Sequence, residues 1–94
     1  MAAIPRTVME YTWIVEIDRA EEVWEEVTEW ERAHIEKALE LGNDYYKYKM
    51  SEKCKSLYAD NRRVTVYYTV DFINMVQFNE TTGAERRVRR IVNY

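Results

Sequence analysis

An α+β fold, with one helix set early into an otherwise antiparallel sheet, is what the sequence predicts. Three observations lead there. From Val64 to Phe72 the chain alternates strictly, with Val64, Val66, Tyr68, Val70 and Phe72 on one face and Thr65, Tyr67, Thr69 and Asp71 on the other; that is the period of a strand. Only Glu29 to Leu41 repeats at the helical period with a start and a stop signal at its ends. The other apolar residues fall in short runs broken by Asp, Asn, Arg and Gly, as strands joined by turns do.

Taken in order, Tyr11 to Asp18 puts Tyr11, Trp13, Val15 and Ile17 on one face and predicts a first strand. Asp18 to Glu22 is a polar turn, and Val23 to Val27 a second short strand, which makes a hairpin. Thr28 stands three residues before Glu31, the capping-box spacing, so a helix starts there. Its expected buried side carries Trp30, His34, Ile35, Ala38, Leu39 and Leu41, and Gly42 stops it. Tyr45 to Met50 and Lys55 to Tyr58 read as two short strands, with a turn over Asp60 to Arg63 before the alternating strand. Met75 to Phe78 is a further strand, Asn79 to Gly83 a turn, and Arg87 to Val92 the closing strand.

Length and composition bound the function. The 94 residues fit one domain over 1–94, with its core expected at about 11–92. Apolar residues are 47% and Gly and Pro scarce, a folding composition rather than a disordered one. No apolar run reaches bilayer length, and no signal pattern opens the chain. Cys54 is the single cysteine and His34 the single histidine, which excludes an internal disulfide and the usual zinc sites. The expectation is a soluble monomer, cytoplasmic or nuclear, with no metal and no cofactor. Charge is uneven. Residues 1–44 hold twelve acidic against four basic side chains, a net of −8, and residues 45–94 five against ten, a net of +5. An anion would therefore bind through the second half, while the acidic first half could face a basic protein partner.

Tyr68-Thr69-Val70-Asp71-Phe72-Ile73-Asn74-Met75-Val76-Gln77-Phe78-Asn79, then Gly83 and Arg86-Arg87-Val88-Arg89-Arg90, resembles the second half of a WWE domain. Trp13 and Trp24 stand where that family has its namesake tryptophans, and Ile35-Glu36 matches the pair that supplies its third letter. The resemblance covers about Tyr11 to Val92. It implies a twisted antiparallel half-barrel of about six strands packed on one helix. It also implies a non-catalytic reader that binds ADP-ribose or poly(ADP-ribose) on modified proteins. Such domains sit beside ubiquitin-ligase or ADP-ribosyltransferase modules.

The same resemblance implies four ligand-binding positions: Tyr68, Gln77, Arg86 and Trp24. Each has a plainer reading beside it. Tyr68 shares a face with apolar neighbours and is either a core ring or a pocket wall. Gln77, between Val76 and Phe78, is either solvent-facing or a buried amide whose donor and acceptor suit a purine edge or ribose hydroxyls. Alternation sends Arg86, Val88 and Arg90 to one face and Arg87 and Arg89 to the other. An arginine fork at Arg86 matches phosphate oxygens, whereas Arg87 and Arg90 are expected to guard a solvated edge strand. Trp13 and Glu36 are expected to be structural, Trp24 to border the pocket, and His34 to be a partly buried helix residue. Ile14 stands where readers often carry an aromatic contact, and a further basic residue used by some readers falls beyond Tyr94.

Other function classes rank lower. A protein-interaction domain that kept the fold and lost the pocket is the alternative, with Glu21, Glu22, Glu25, Glu26 and Glu29 as its surface. Single-stranded nucleic acid suits interleaved Arg and Tyr, but the chain is acidic overall and lacks an RNA-binding signature. No carboxylate pair, phosphate loop or nucleophile argues for an enzyme.

Overall fold

The computed structural model describes residues 10–53 and 63–93. Its elements are β1 (Glu10–Asp18), β2 (Val23–Glu26), α1 (Glu29–Glu40), β3 (Tyr45–Lys53), β4 (Arg63–Asp71), β5 (Val76–Asn79) and β6 (Glu85–Asn93). The six strands form one antiparallel sheet in the order β2-β1-β6-β5-β4-β3. The sheet stays open and curls on the helix, so the architecture is an α+β half-barrel. The expected strand over Lys55 to Tyr58, Cys54, and the first three residues of the expected turn at Asp60 lie outside the described residues.

The core gathers on the concave face. Trp13, Ile35, Tyr48, Val70 and Val88 are buried together, ringed by Val15, Val27, Leu39, Tyr46, Met50, Tyr68, Phe72 and Met75. Period-two alternation places these residues there: Trp13 and Val15 from β1, Tyr48 and Met50 from β3, Val70 from β4 and Val88 from β6. Trp13 is 1% exposed, and its indole N–H donates to Glu36 Oε1 at 2.9 Å. Trp13 and Glu36 thus tie β1 to the helix.

Both helix ends are closed by their own sequence. Thr28 Oγ1 accepts from the Glu31 N–H at 3.2 Å, and Glu31 Oε1 accepts from the Thr28 N–H at 3.0 Å, a complete capping box. At the other end the Gly42 N–H donates to the Leu39 carbonyl and the Asn43 N–H to the Ala38 carbonyl. That Schellman closure needs the left-handed backbone which Gly42 adopts at φ +80°.

The buried side of the helix differs from the apolar stripe read in the sequence. Ile35 and Ala38 are buried and Leu39 partly so, but Trp30 is 46% and Leu41 67% exposed. Two glutamates, Glu31 and Glu36, are buried in their place. Each is covered because strong donors meet it: Tyr48 for Glu31, and Trp13 with Arg90 for Glu36. His34 is exposed, not partly buried; its ring stacks on Trp30 at 4.0 Å and its Nδ1 lies 2.8 Å from the Trp30 carbonyl.

The closing strand also differs from expectation. β6 is not an edge; it runs between β1 and β5. Its arginines divide between the faces as alternation requires. Arg90 donates to both carboxylate oxygens of Glu36, with its Cζ 3.5 Å from the Tyr11 ring centroid. Arg87 binds Glu16. The true edges are β2 and β3, and exposed Lys47 and Lys49 supply the charges that discourage edge pairing on β3.

Candidate functional site

Several hollows of about 410 to 560 Å³ open on the described surface, so size does not choose among them. Chemistry does. At the mouth of the half-barrel a cavity of about 510 Å³ is walled by Val15 and Ile17 of β1, Glu25 and Glu26 of β2, the start of α1, and the inner faces of β3 to β6. That volume falls within the usual range for small-molecule sites. Tyr68, Gln77 and Arg86 all line it.

Two tight turns bring these three residues together. Asp71 Oδ1 accepts the N–H groups of Ile73 at 2.8 Å and Asn74 at 3.0 Å, and its Oδ2 accepts from Asn74 Nδ2 at 2.8 Å. Met75 leaves the turn with φ +54°, so β5 starts at Val76 rather than at Met75. The turn sets Gln77 opposite Val70. Next, Asn79 Oδ1 accepts from the N–H groups of Thr81 and Thr82, with Gly83 at φ +82°. The chain then returns with Arg86 opposite Gln77. Register does the rest, placing Tyr68 opposite Tyr48 on β3.

Each side chain has a definite environment. The rings of Tyr48 and Tyr68 are stacked, with centroids 5.4 Å apart. Tyr68 is half-buried, and its hydroxyl donates to Glu52. Burial first, and then the Glu52 carboxylate, push its phenol far above the ordinary tyrosine range, although nearby Arg86 opposes this. Gln77 is 7% exposed, and its Nε2 donates to Tyr48 Oη at 2.8 Å. Among the described arginines Arg86 stands apart: it has no carboxylate, hydrogen-bond or ring partner, whereas Arg19, Arg32, Arg63, Arg87, Arg89 and Arg90 each have one. It is exposed at the rim, where a second hollow also holds Arg19 and Arg87.

Trp24 does not join them. It pairs across from Glu16, on the face of the sheet opposite Val15, and lies beneath the Arg89 and Arg87 guanidinium groups at 4.5 and 5.7 Å. Nor does Ile14 face the cavity: it is paired with Arg89 and Glu26, and the positions that β1 gives to the wall are Val15 and Ile17. The aromatic contact sought at Ile14 is therefore missing from a position that does not reach the site.

Sequence reasoning missed Glu31, Tyr48 and Glu52. Glu31 was visible only as a cap, yet its second oxygen accepts from Tyr48. Tyr48 sits in a strand of alternating Tyr and Lys whose inward face could have been read from its partner β4. The wall is acidic, with Glu25, Glu26, Glu31 and Glu52 against one cation, Arg86. Two of these carboxylates are held by hydroxyl donors, so the cavity offers acceptors on one side and an arginine on the other. No group of His, Cys, Asp or Glu among the described residues is arranged to hold a metal ion.

The family model of the WWE domain matches residues 11–90. No curated protein matches the chain. The matched span takes in the helix, both turns that place Gln77 and Arg86, and every strand but the tips of β1 and β6. By that match the chain belongs to the WWE domain family, a family of ligand- and protein-interaction domains rather than catalysts.

Proposed function

We propose that this domain is a reader that holds an ADP-ribose unit in the cavity at the mouth of the half-barrel and so places its parent protein on ADP-ribosylated targets. The observation that carries the reading is the meeting of Tyr68, Gln77 and an otherwise unpartnered Arg86 in one hollow of nucleotide-binding size. A base lies against the Tyr68 ring, where apolar Val15 and Val66 complete the wall. Gln77 meets its polar edge, and the Arg86 fork takes the diphosphate. The carboxylates of Glu31 and Glu52 stand ready to accept from ligand hydroxyl or amino groups.

The test is a thermal shift with ADP-ribose and iso-ADP-ribose. At about a hundred times its dissociation constant, a ligand raises stability by about 2.7 kcal/mol, which melting resolves. Gln77→Ala and Arg86→Ala should each abolish most of the shift. No shift of the wild-type protein at millimolar ligand would remove the reading.

A second reading is favoured by the acidic wall. A domain whose cavity carries four glutamates around one arginine is suited to a basic protein segment, reached through Glu25 and Glu26 on the edge strand β2. Under that reading Glu25→Lys with Glu26→Lys weakens capture of a lysine-rich peptide, while ADP-ribose produces no shift.

A further inference from the structure

The Gln77 amide lies next to a chain of hydrogen bonds whose direction is fixed at its far end. Glu31 Oε1 accepts from the Thr28 N–H and hydroxyl in the capping box, each at 3.0 Å. A carboxylate so placed can only accept, so the hydroxyl of Tyr48 must donate to Glu31 Oε2, as it does. The Tyr48 oxygen is then left to accept, and what it accepts is an N–H of Gln77 at 2.8 Å. Burial, and then the adjoining Glu31 carboxylate, push the Tyr48 phenol far above its ordinary range, so the proton that sets the direction stays in place.

The amide nitrogen of Gln77 is thus turned toward Tyr48. Its carbonyl oxygen has no protein donor. Yet no buried side-chain oxygen or nitrogen of the described residues lacks a partner, so that oxygen reaches open space. Gln77 lines the cavity at the mouth.

We propose that Glu31 and Tyr48 are positioning residues that lock the Gln77 amide with its carbonyl oxygen toward the cavity, and so select a base edge that donates, an amino purine over an oxo purine. The inference rests on the ADP-ribose reading above and adds to it the two residues that set the preference for its base. An amino group at the purine 6-position meets the amide oxygen as a donor. A 6-oxo group in the same place sets two acceptors against each other and leaves both without a proton.

The experiment titrates ADP-ribose and its 6-oxo analogue, inosine diphosphate ribose, into the wild-type protein and Glu31→Gln. The wild type should prefer ADP-ribose at least about tenfold, equivalent to about 1.4 kcal/mol. Glutamine keeps the capping box: its carbonyl serves Thr28, which turns its NH2 toward Tyr48. The Tyr48 hydroxyl then donates to Gln77, and the amide reverses. Preference should fall below twofold or invert in this variant. Tyr48→Phe, which frees the amide to take either orientation, should bring the ratio near one; the Gln77 side-chain NH2 resonances in an ¹⁵N spectrum report the lost bond in the same sample. Equal affinity of the wild type for both ligands, or an unchanged preference in either variant, overturns the inference and leaves the ADP-ribose reading standing. Binding of neither ligand to the wild type overturns the reading itself and the inference with it.

Discussion

At the scale of single residues, the same side-chain type serves structure or site according to whether a carboxylate meets it. Arg90 and Arg87 are held by Glu36 and Glu16, while Arg86 is left to the cavity. Arg86→Ala should therefore cost binding and little stability, whereas Gln77→Ala should cost both, because the buried Tyr48 oxygen loses its donor. Trp24→Ala should leave ADP-ribose affinity within about twofold, since its ring lies under two guanidinium groups on the other face; calorimetry on the variant checks this. Trp13 shows the opposite case. Trp13→Phe keeps most of the ring volume but takes a donor from the buried Glu36 carboxylate, a loss of about 1–3 kcal/mol that urea denaturation would show. These roles were partly legible in the sequence. The two faces of β6 followed from its alternation, and the structural part of Trp13 from its place in an apolar hairpin. What the sequence hid was the burial of Glu31 and Glu36. A glutamate on a helix reads as solvent-facing until its donors, supplied by Tyr48 and Arg90 from distant strands, are known.

At the scale of elements, the helix and the turns are locally determined and the sheet order is not. The capping box at Thr28 and Glu31 and the stop at Gly42 could be read directly, because both devices act within a few residues. Thr28→Ala should lower stability by about 1 kcal/mol, a fall of roughly 4–8 °C in Tm for a domain of this size. It should also weaken ADP-ribose, because Glu31 loses one of the two donors that orient it toward Tyr48. Gly42→Ala meets no atom within 4 Å of the added carbon, so its cost is the left-handed backbone alone, about 1–2 kcal/mol. The pairing of β1 with β6, by contrast, joins Glu10 to Asn93 across nearly the whole chain. Nothing local in a run of arginines announces a strand flanked on both sides, which is why β6 read as an edge. The curl of the sheet is also non-local, and it carries Tyr68, Gln77 and Arg86 to one hollow while leaving Trp24 outside.

At the scale of the whole molecule, buried carboxylates make the fold sensitive to acid. The Glu16 carboxylate is held below the ordinary glutamate range chiefly by its hydrogen bonds to Arg87. For Glu36 burial acts to raise the pKa, but bonds from Arg90 and Trp13 outweigh it and the net direction is down. A carboxyl whose folded pKa lies below its unfolded one adds stability above the unfolded value, and the gain is lost as pH falls through the folded one. Tm should thus hold between pH 7 and about 5 and drop steeply below about pH 4. Glu36→Gln should start lower and show a shallower drop. Whether the cavity holds ADP-ribose is decided by calorimetric titration, with ATP alongside and Arg86→Ala as the paired variant. ADP-ribose should bind the wild type saturably and one-to-one, weakened at least about tenfold by Arg86→Ala. No heat of binding at millimolar ADP-ribose, or equal affinity in the variant, would contradict this.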